Sequence, residues 1–98
     1  MSGHTFRFGL VAAMAPSGAA WTALARQAEA AGYDVLLVPD TAHTLTPLPA
    51  AAAAAAATSR LRVGTFVLAA GLRTPAATAW EATGLATLTD GRFELGLG

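Results

Sequence analysis

Cysteine is absent, so the chain can hold neither disulfides nor thiolate metal ligands, and a reducing cytoplasm is the compartment its composition suits. Lysine is absent too. The six basic side chains are all arginine and balance six acidic ones, leaving no net field to draw the chain to nucleic acid or to an anionic membrane. Charge of either sign is scarce, at 12% of residues against 54% hydrophobic, which excludes a disordered segment and suits a parallel sheet covered on both faces. No stretch approaches the roughly 20 strongly apolar residues of a membrane span, and the opening MSGHTFRFG has no basic region ahead of an apolar core. A soluble protein is expected. Two motifs of hydrolases and nucleotide binders are missing, the G-x-S-x-G elbow and the P-loop. His4 and His43 lie far apart without H-x-x-x-H spacing, so no metal site is expected.

What is present is an alternation of apolar runs and helical patterns. Residues 5–13 read as a first strand, and Ser17 reads as the cap of a helix running to about Ala31, because its hydroxyl can accept from an otherwise unpaired N–H. Trp21, Leu24, Ala25 and Ala28 recur at helical spacing and predict one buried face, with Trp21 as a core anchor. Gly32 supplies the left-handed residue that ends a helix. Residues 33–38 predict a second strand closed by Pro39-Asp40, and 41–49 a loop. The alanine run at 50–57 predicts a short helix whose small side chains let it lie close to a sheet. Residues 61–68 predict a third strand, with Leu61, Val63, Thr65 and Val67 on one side and Arg62, Gly64, Phe66 and Leu68 on the other. Pro75 opens a helix over about 76–88, in which Thr78, Glu81, Leu85 and Leu88 partly share a face. Asp90-Gly91 turns into a fourth strand at 93–98.

Strand, helix, strand, helix, strand, helix, strand argues for an α/β fold with right-handed crossovers. Four parallel strands and three helices are the N-terminal half of a (β/α)8 TIM barrel, and 98 residues fall well short of the roughly 250 of a whole one. The final residues read as a strand stopping in Gly-x-Gly, so the chain is expected to be a piece of a longer domain. The rival is a doubly wound nucleotide-binding domain, which needs G-x-G-x-x-G after the first strand; here that turn is Ala13-Met14-Ala15-Pro16-Ser17-Gly18.

Read from the residues alone, Asp40 is either a turn or capping aspartate or a site carboxylate at the C-terminal ends of the strands, where barrel ligands gather. Gly64 either admits close packing or marks a bulge or ligand approach. His43 is a loop histidine that could also deliver a proton near neutral pH.

The wording of the third and fourth strands carries a resemblance. Arg62-Val63-Gly64-Thr65-Phe66-Val67-Leu68, then Arg73-Thr74-Pro75, then Asp90-Gly91-Arg92-Phe93-Glu94-Leu95-Gly96-Leu97-Gly98 resemble the N-terminal half of the luciferase-like monooxygenase superfamily, most closely its deazaflavin-dependent branch. The resemblance runs from about Phe6 to Gly98 and implies an oxidoreductase using a reduced flavin or deazaflavin, coenzyme F420 or alternatively FMN, to move a hydride or insert oxygen into a small organic substrate. It implies a cofactor site at Asp40, Thr65, Phe66, Val67, Gly96 and Gly98, with the ring lying against a bulge in the third strand and a cis peptide between Phe66 and Val67. The family's Asp-His pair maps to Asp40 and, with Thr41 and Ala42 intervening, to His43 as catalytic residue. Departures are Phe66 where many relatives carry Gly, and Arg-Thr-Pro in place of Arg-His-Pro. Four strands leave two open edges, from which a homo-oligomer is expected. The alternative is a remnant without activity, or a half-barrel that associates with itself.

Overall fold

A computed structural model describes residues 6–98; His4 and Thr5 lie outside the described residues. Ser17 caps the first helix as expected, its Oγ accepting from the N–H of Ala20 at 3.1 Å. The chain runs through β1 (Gly9–Val11), α1 (Gly18–Ala30), β2 (Val35–Val38), α2 (Pro47–Ala56), β3 (Arg62–Thr65), a short 3-10 turn (Ala70–Leu72), α3 (Pro75–Leu88) and β4 (Phe93–Glu94). All three strand pairings are parallel, in the order β1-β2-β3-β4. Each strand lies beside its predecessor with no reversal of order. That is the winding of a barrel, of which these elements form the first half, and it removes the doubly wound alternative.

The core lies between the sheet and the first two helices. Trp21, Ala25 and Ala28 of α1, Leu36 and Val38 of β2, Ala51, Ala54 and Ala55 of α2, and Leu61 and Val63 at β3 make one buried cluster. The alanines explain the close approach of α2, since a methyl group is all that separates helix backbone from sheet. The Trp21 indole N–H donates to the Ala50 carbonyl at 2.8 Å and ties α1 to α2. On the opposite face of the sheet, set by strand alternation and register, stand Gly9, Val11, Val35, Leu37, Arg62, Gly64 and Glu94. Arg7 and Arg62 both donate to Glu94 Oε2 there. Burial pushes the Glu94 carboxyl up, but bonds from Arg62 and Arg7 more than offset it and hold its pKa below the usual range. A Cβ on Gly64 would strike the Glu94 carbonyl oxygen, so the close approach expected at Gly64 is that of β4.

Several expected boundaries move. α2 begins at Pro47 rather than 50, because prolines in a first turn forgo only N–H groups that have no helical partner. β1 is confined to Gly9–Val11, since the N–H of Phe8 turns to the Asp34 carboxylate at 2.8 Å instead of a strand. β2 starts at Val35 rather than 33, after Gly32 (φ 91) and the bond from Tyr33 N–H to the Ala28 carbonyl have ended α1. On α3 only Thr78 and Leu85 are buried; Leu88 and Trp80 are exposed, Trp80 at 80%. Among the described residues no helix is long and apolar enough to cross a membrane.

Candidate functional site at the C-terminal ends of the strands

The expected strand over 61–68 stops at Thr65, and the reason lies in one hydroxyl. Thr65 Oγ1 donates to the Gly96 carbonyl at 2.8 Å and accepts from the Gly96 N–H at 2.9 Å. A side chain thus takes over both groups that a backbone ladder would have used. The ladder resumes three residues later: Leu68 N–H donates to the same Gly96 carbonyl at 2.7 Å, and Gly98 N–H to the Leu68 carbonyl at 3.0 Å. A lone bridge joins Leu68 to Leu97. Between these fixed points Phe66 and Val67, joined by a cis peptide bond, leave the pairing with β4, while the Phe66 N–H still donates to the Val38 carbonyl of β2 at 2.9 Å. Regular alternation would have placed them on opposite faces. Instead both are exposed, at 58% and 39%, while Leu68 is fully buried.

β4 is shaped to this bulge. A Cβ on Gly96 would sit 2.5 Å from the Thr65 carbonyl oxygen, and one on Gly98 would run into the Val67 side chain. The space these glycines leave is therefore filled by β3 itself. Any larger residue at Gly96 would meet backbone, which cannot swing aside.

Asp40 closes β2 and reaches across to the loop after β3. Its Oδ2 accepts from the Ala69 N–H at 2.9 Å and from Arg73 Nη1 at 2.5 Å, and its side chain is only 7% exposed. The Arg73 guanidinium beside it, helped by the Ala69 N–H, outweighs burial and holds the Asp40 carboxyl below the ordinary carboxylate range. His43 stands in the exposed turn between β2 and α2, where its backbone N–H approaches Thr41 Oγ1 at 3.4 Å. No hydrogen bond among the described residues joins its imidazole to Asp40 or to the bulge. The structure thus brings Thr65, Phe66, Val67, Gly96 and Gly98 together, ties Asp40 to their flank, and leaves His43 apart. Leu95 and Leu97 are exposed too, but they line a separate pocket with Ala70, Arg73, Pro75, Thr78 and Ala79 on the α3 side of β4. Among the described residues no group of three metal-ligating side chains occurs.

The spacing patterns did not disclose three residues that carry long-range bonds. Arg73 is one. The others fasten the opposite end of β3, where Glu29 of α1 accepts from the N–H groups of Ser59, Arg60 and Leu61 at 3.1, 2.6 and 2.8 Å. Arg92 donates to the carbonyls of Ala55 and Leu61 at 2.9 and 3.0 Å and to Thr58 Oγ1 at 3.1 Å. The acid takes the N–H side of the α2–β3 connection and the base takes the carbonyl side. Burial pushes the Glu29 carboxyl up, yet the N–H groups of Arg60, Leu61 and Ser59 more than offset it and leave the pKa lowered.

The family of luciferase-like monooxygenases matches over residues 3–98. Coenzyme F420-dependent tetrahydromethanopterin reductase from Methanopyrus kandleri superposes with a TM-score of 0.86 at 23% identity, over 94% of this chain and 26% of that one. The oxygenating constituent of 3,6-diketocamphane monooxygenase from Pseudomonas putida, a type II Baeyer-Villiger monooxygenase in complex with FMN, gives 0.82 at 23% identity, over 96% and 29%. A monooxygenase from Streptomyces bottropensis gives 0.82 at 23% identity, over 95% and 33%. The chain thus spans a third or less of the length of these structures. A search of curated proteins finds no match.

Proposed function

The chain belongs to the luciferase-like monooxygenase family, and from that premise we propose that it forms the cofactor-facing first half of an oxidoreductase that uses coenzyme F420, or alternatively FMN, on a small organic substrate. The observation that carries this reading is the bulge. Two successive side chains, Phe66 and Val67, stand exposed where the pairing with β4 is interrupted at the C-terminal end of a parallel strand, the face on which barrel enzymes hold their ligands. Support for the cofactor class comes from the neighbours, one F420-dependent and one bound to FMN.

In this reading Val67 and Phe66 wall the ring, Thr65 and Gly96 hold the wall in place, and Gly98 admits the Val67 side chain. Asp40 anchors the loop beside it. His43, exposed and outside this bonded group, is assigned proton handling on the substrate side. The reduced ring, when bound, supplies the hydride or the electrons for oxygen insertion; the chain's residues contribute shape, orientation and exclusion of water. A cytoplasmic location fits the cysteine-free composition.

A second reading is favoured by the sheet itself. Among the described residues nothing pairs with the outer edge of β1 or β4, and the face carrying Val11 is open, so a half-barrel that associates with itself without activity is the alternative. Titration of the purified full-length protein with FMN and with coenzyme F420, followed by absorbance and fluorescence, separates the two. Saturable binding of either cofactor is expected for the oxidoreductase; a homo-oligomer that binds neither is the outcome for the alternative.

A further inference from the structure

We propose that Arg73 is a positioning residue for the cofactor wall, acting through Asp40 and the Ala69 backbone rather than by touching cofactor or substrate. The proposal rests on the reading that residues 66–68 border the cofactor. One carboxylate oxygen and one guanidinium nitrogen together hold both polar groups of a single residue. Asp40 Oδ2 accepts from Ala69 N–H at 2.9 Å, Arg73 Nη1 donates to the Ala69 carbonyl at 3.3 Å, and Arg73 Nη1 meets Asp40 Oδ2 at 2.5 Å. Ala69 follows Leu68, the residue at which the β3–β4 ladder resumes. The Phe66–Val67 pair is therefore held at its start by the Thr65 hydroxyl on Gly96 and by the Phe66 N–H on the Val38 carbonyl of β2 at 2.9 Å, and at its end by the Leu68–Ala69 backbone, which β4 holds on one side and Arg73 with Asp40 on the other.

The loop has little else to hold it. No residue of the 3-10 turn Ala70–Leu72 is buried, and its backbone bonds are the local ones from Leu72 N–H to Ala69 and from Arg73 N–H to Ala70, together with that from Ala70 N–H to Gly98. Both contacts come from the one nitrogen Nη1, so lysine can supply the charge and part of the bonding, but as a more hydrated point charge on a flexible stem. The Asp40 side chain is nearly covered, so removing Arg73 would leave a desolvated carboxylate without its counter-charge.

The test uses the full-length protein titrated with FMN and with coenzyme F420, reading the dissociation constant, the visible absorption band of the bound cofactor, and the melting temperature. Arg73→Gln is expected to weaken binding about tenfold or more and to move the bound cofactor's band toward that of the free form; Arg73→Lys is expected to recover part of both. The double variant Arg73→Gln/Asp40→Asn, which removes the stranded charge, is expected to regain melting temperature without regaining affinity. A folded Arg73→Gln protein with wild-type affinity and band overturns the positioning role while leaving the cofactor reading intact. If Arg73→Gln does not fold, the double variant decides: weakened affinity supports the role and wild-type affinity overturns it. Wild-type protein that binds neither cofactor overturns the reading on which the proposal rests.

Discussion

At its first residues β3 is fastened by Glu29 and Arg92, whose bonds go almost wholly to backbone groups of the α2–β3 connection; at its last residues it is fastened by the Thr65 hydroxyl and the Asp40–Arg73 pair, with two apolar side chains turned out between them. Both ends spend charged groups on loop geometry. Only the second end leaves an apolar surface uncovered by its own bonds. The difference separates fastening that serves the fold from fastening that serves a shape, and it is open to experiment because the two should respond differently to the same kind of substitution.

The largest effects on stability are expected from the two buried leucines that bracket this strand. Leu61→Ala and Leu68→Ala should each cost about 2–5 kcal/mol in denaturant unfolding. Only Leu68→Ala is also expected to lower cofactor affinity, because Leu68 is where the ladder resumes after the bulge. Equal losses of affinity in both would erase the distinction.

Next in size is Glu29→Gln, which weakens three charge-assisted bonds and should cost about 1.5–3 kcal/mol while leaving the dissociation constant for either cofactor unchanged. Its failure to destabilise would show that Arg92 alone holds the connection.

A smaller effect concerns pH. Glu29 and Asp40 both have lowered pKa values in the fold. A depressed folded-state pKa contributes stability that is present above the unfolded value, about 4.3 for Glu and 3.9 for Asp, and that disappears as pH falls through the folded value. Melting temperature followed from pH 7 downward should therefore hold until about pH 4.3 and then drop. Glu29→Gln should remove part of that acid-sensitive decline; a decline of unchanged depth would assign it to other carboxylates.

How much of this was legible in the sequence follows the range of the forces involved. Ser17, Trp21, Gly32 and Pro75 are local or periodic signals and stand where their chemistry puts them. The element order followed from them. Strand ends did not, because an apolar run does not record where its partner stops pairing: residues 66–68 continue the alternation in sequence while Thr65 diverts the ladder. Pro47 and Pro49 read as loop, although prolines in a first helical turn cost no bond. Arg73, Glu29 and Arg92 find their partners about thirty residues away, and no spacing rule points from one to the other. The resemblance places Gly96 and Gly98 at the cofactor site, while the contact that needs a glycine there is with Thr65 and Val67, residues no spacing rule connects to them.

The smallest expected change in stability carries the most direct test. Phe66 is 58% exposed, so Phe66→Ala should alter unfolding free energy by no more than about 0.5 kcal/mol. If the looped-out pair is the cofactor wall, the same substitution in the full-length protein should weaken binding of coenzyme F420 or FMN about tenfold, a change of about 1.4 kcal/mol. An unchanged dissociation constant for the cofactor that the wild type binds would contradict the account.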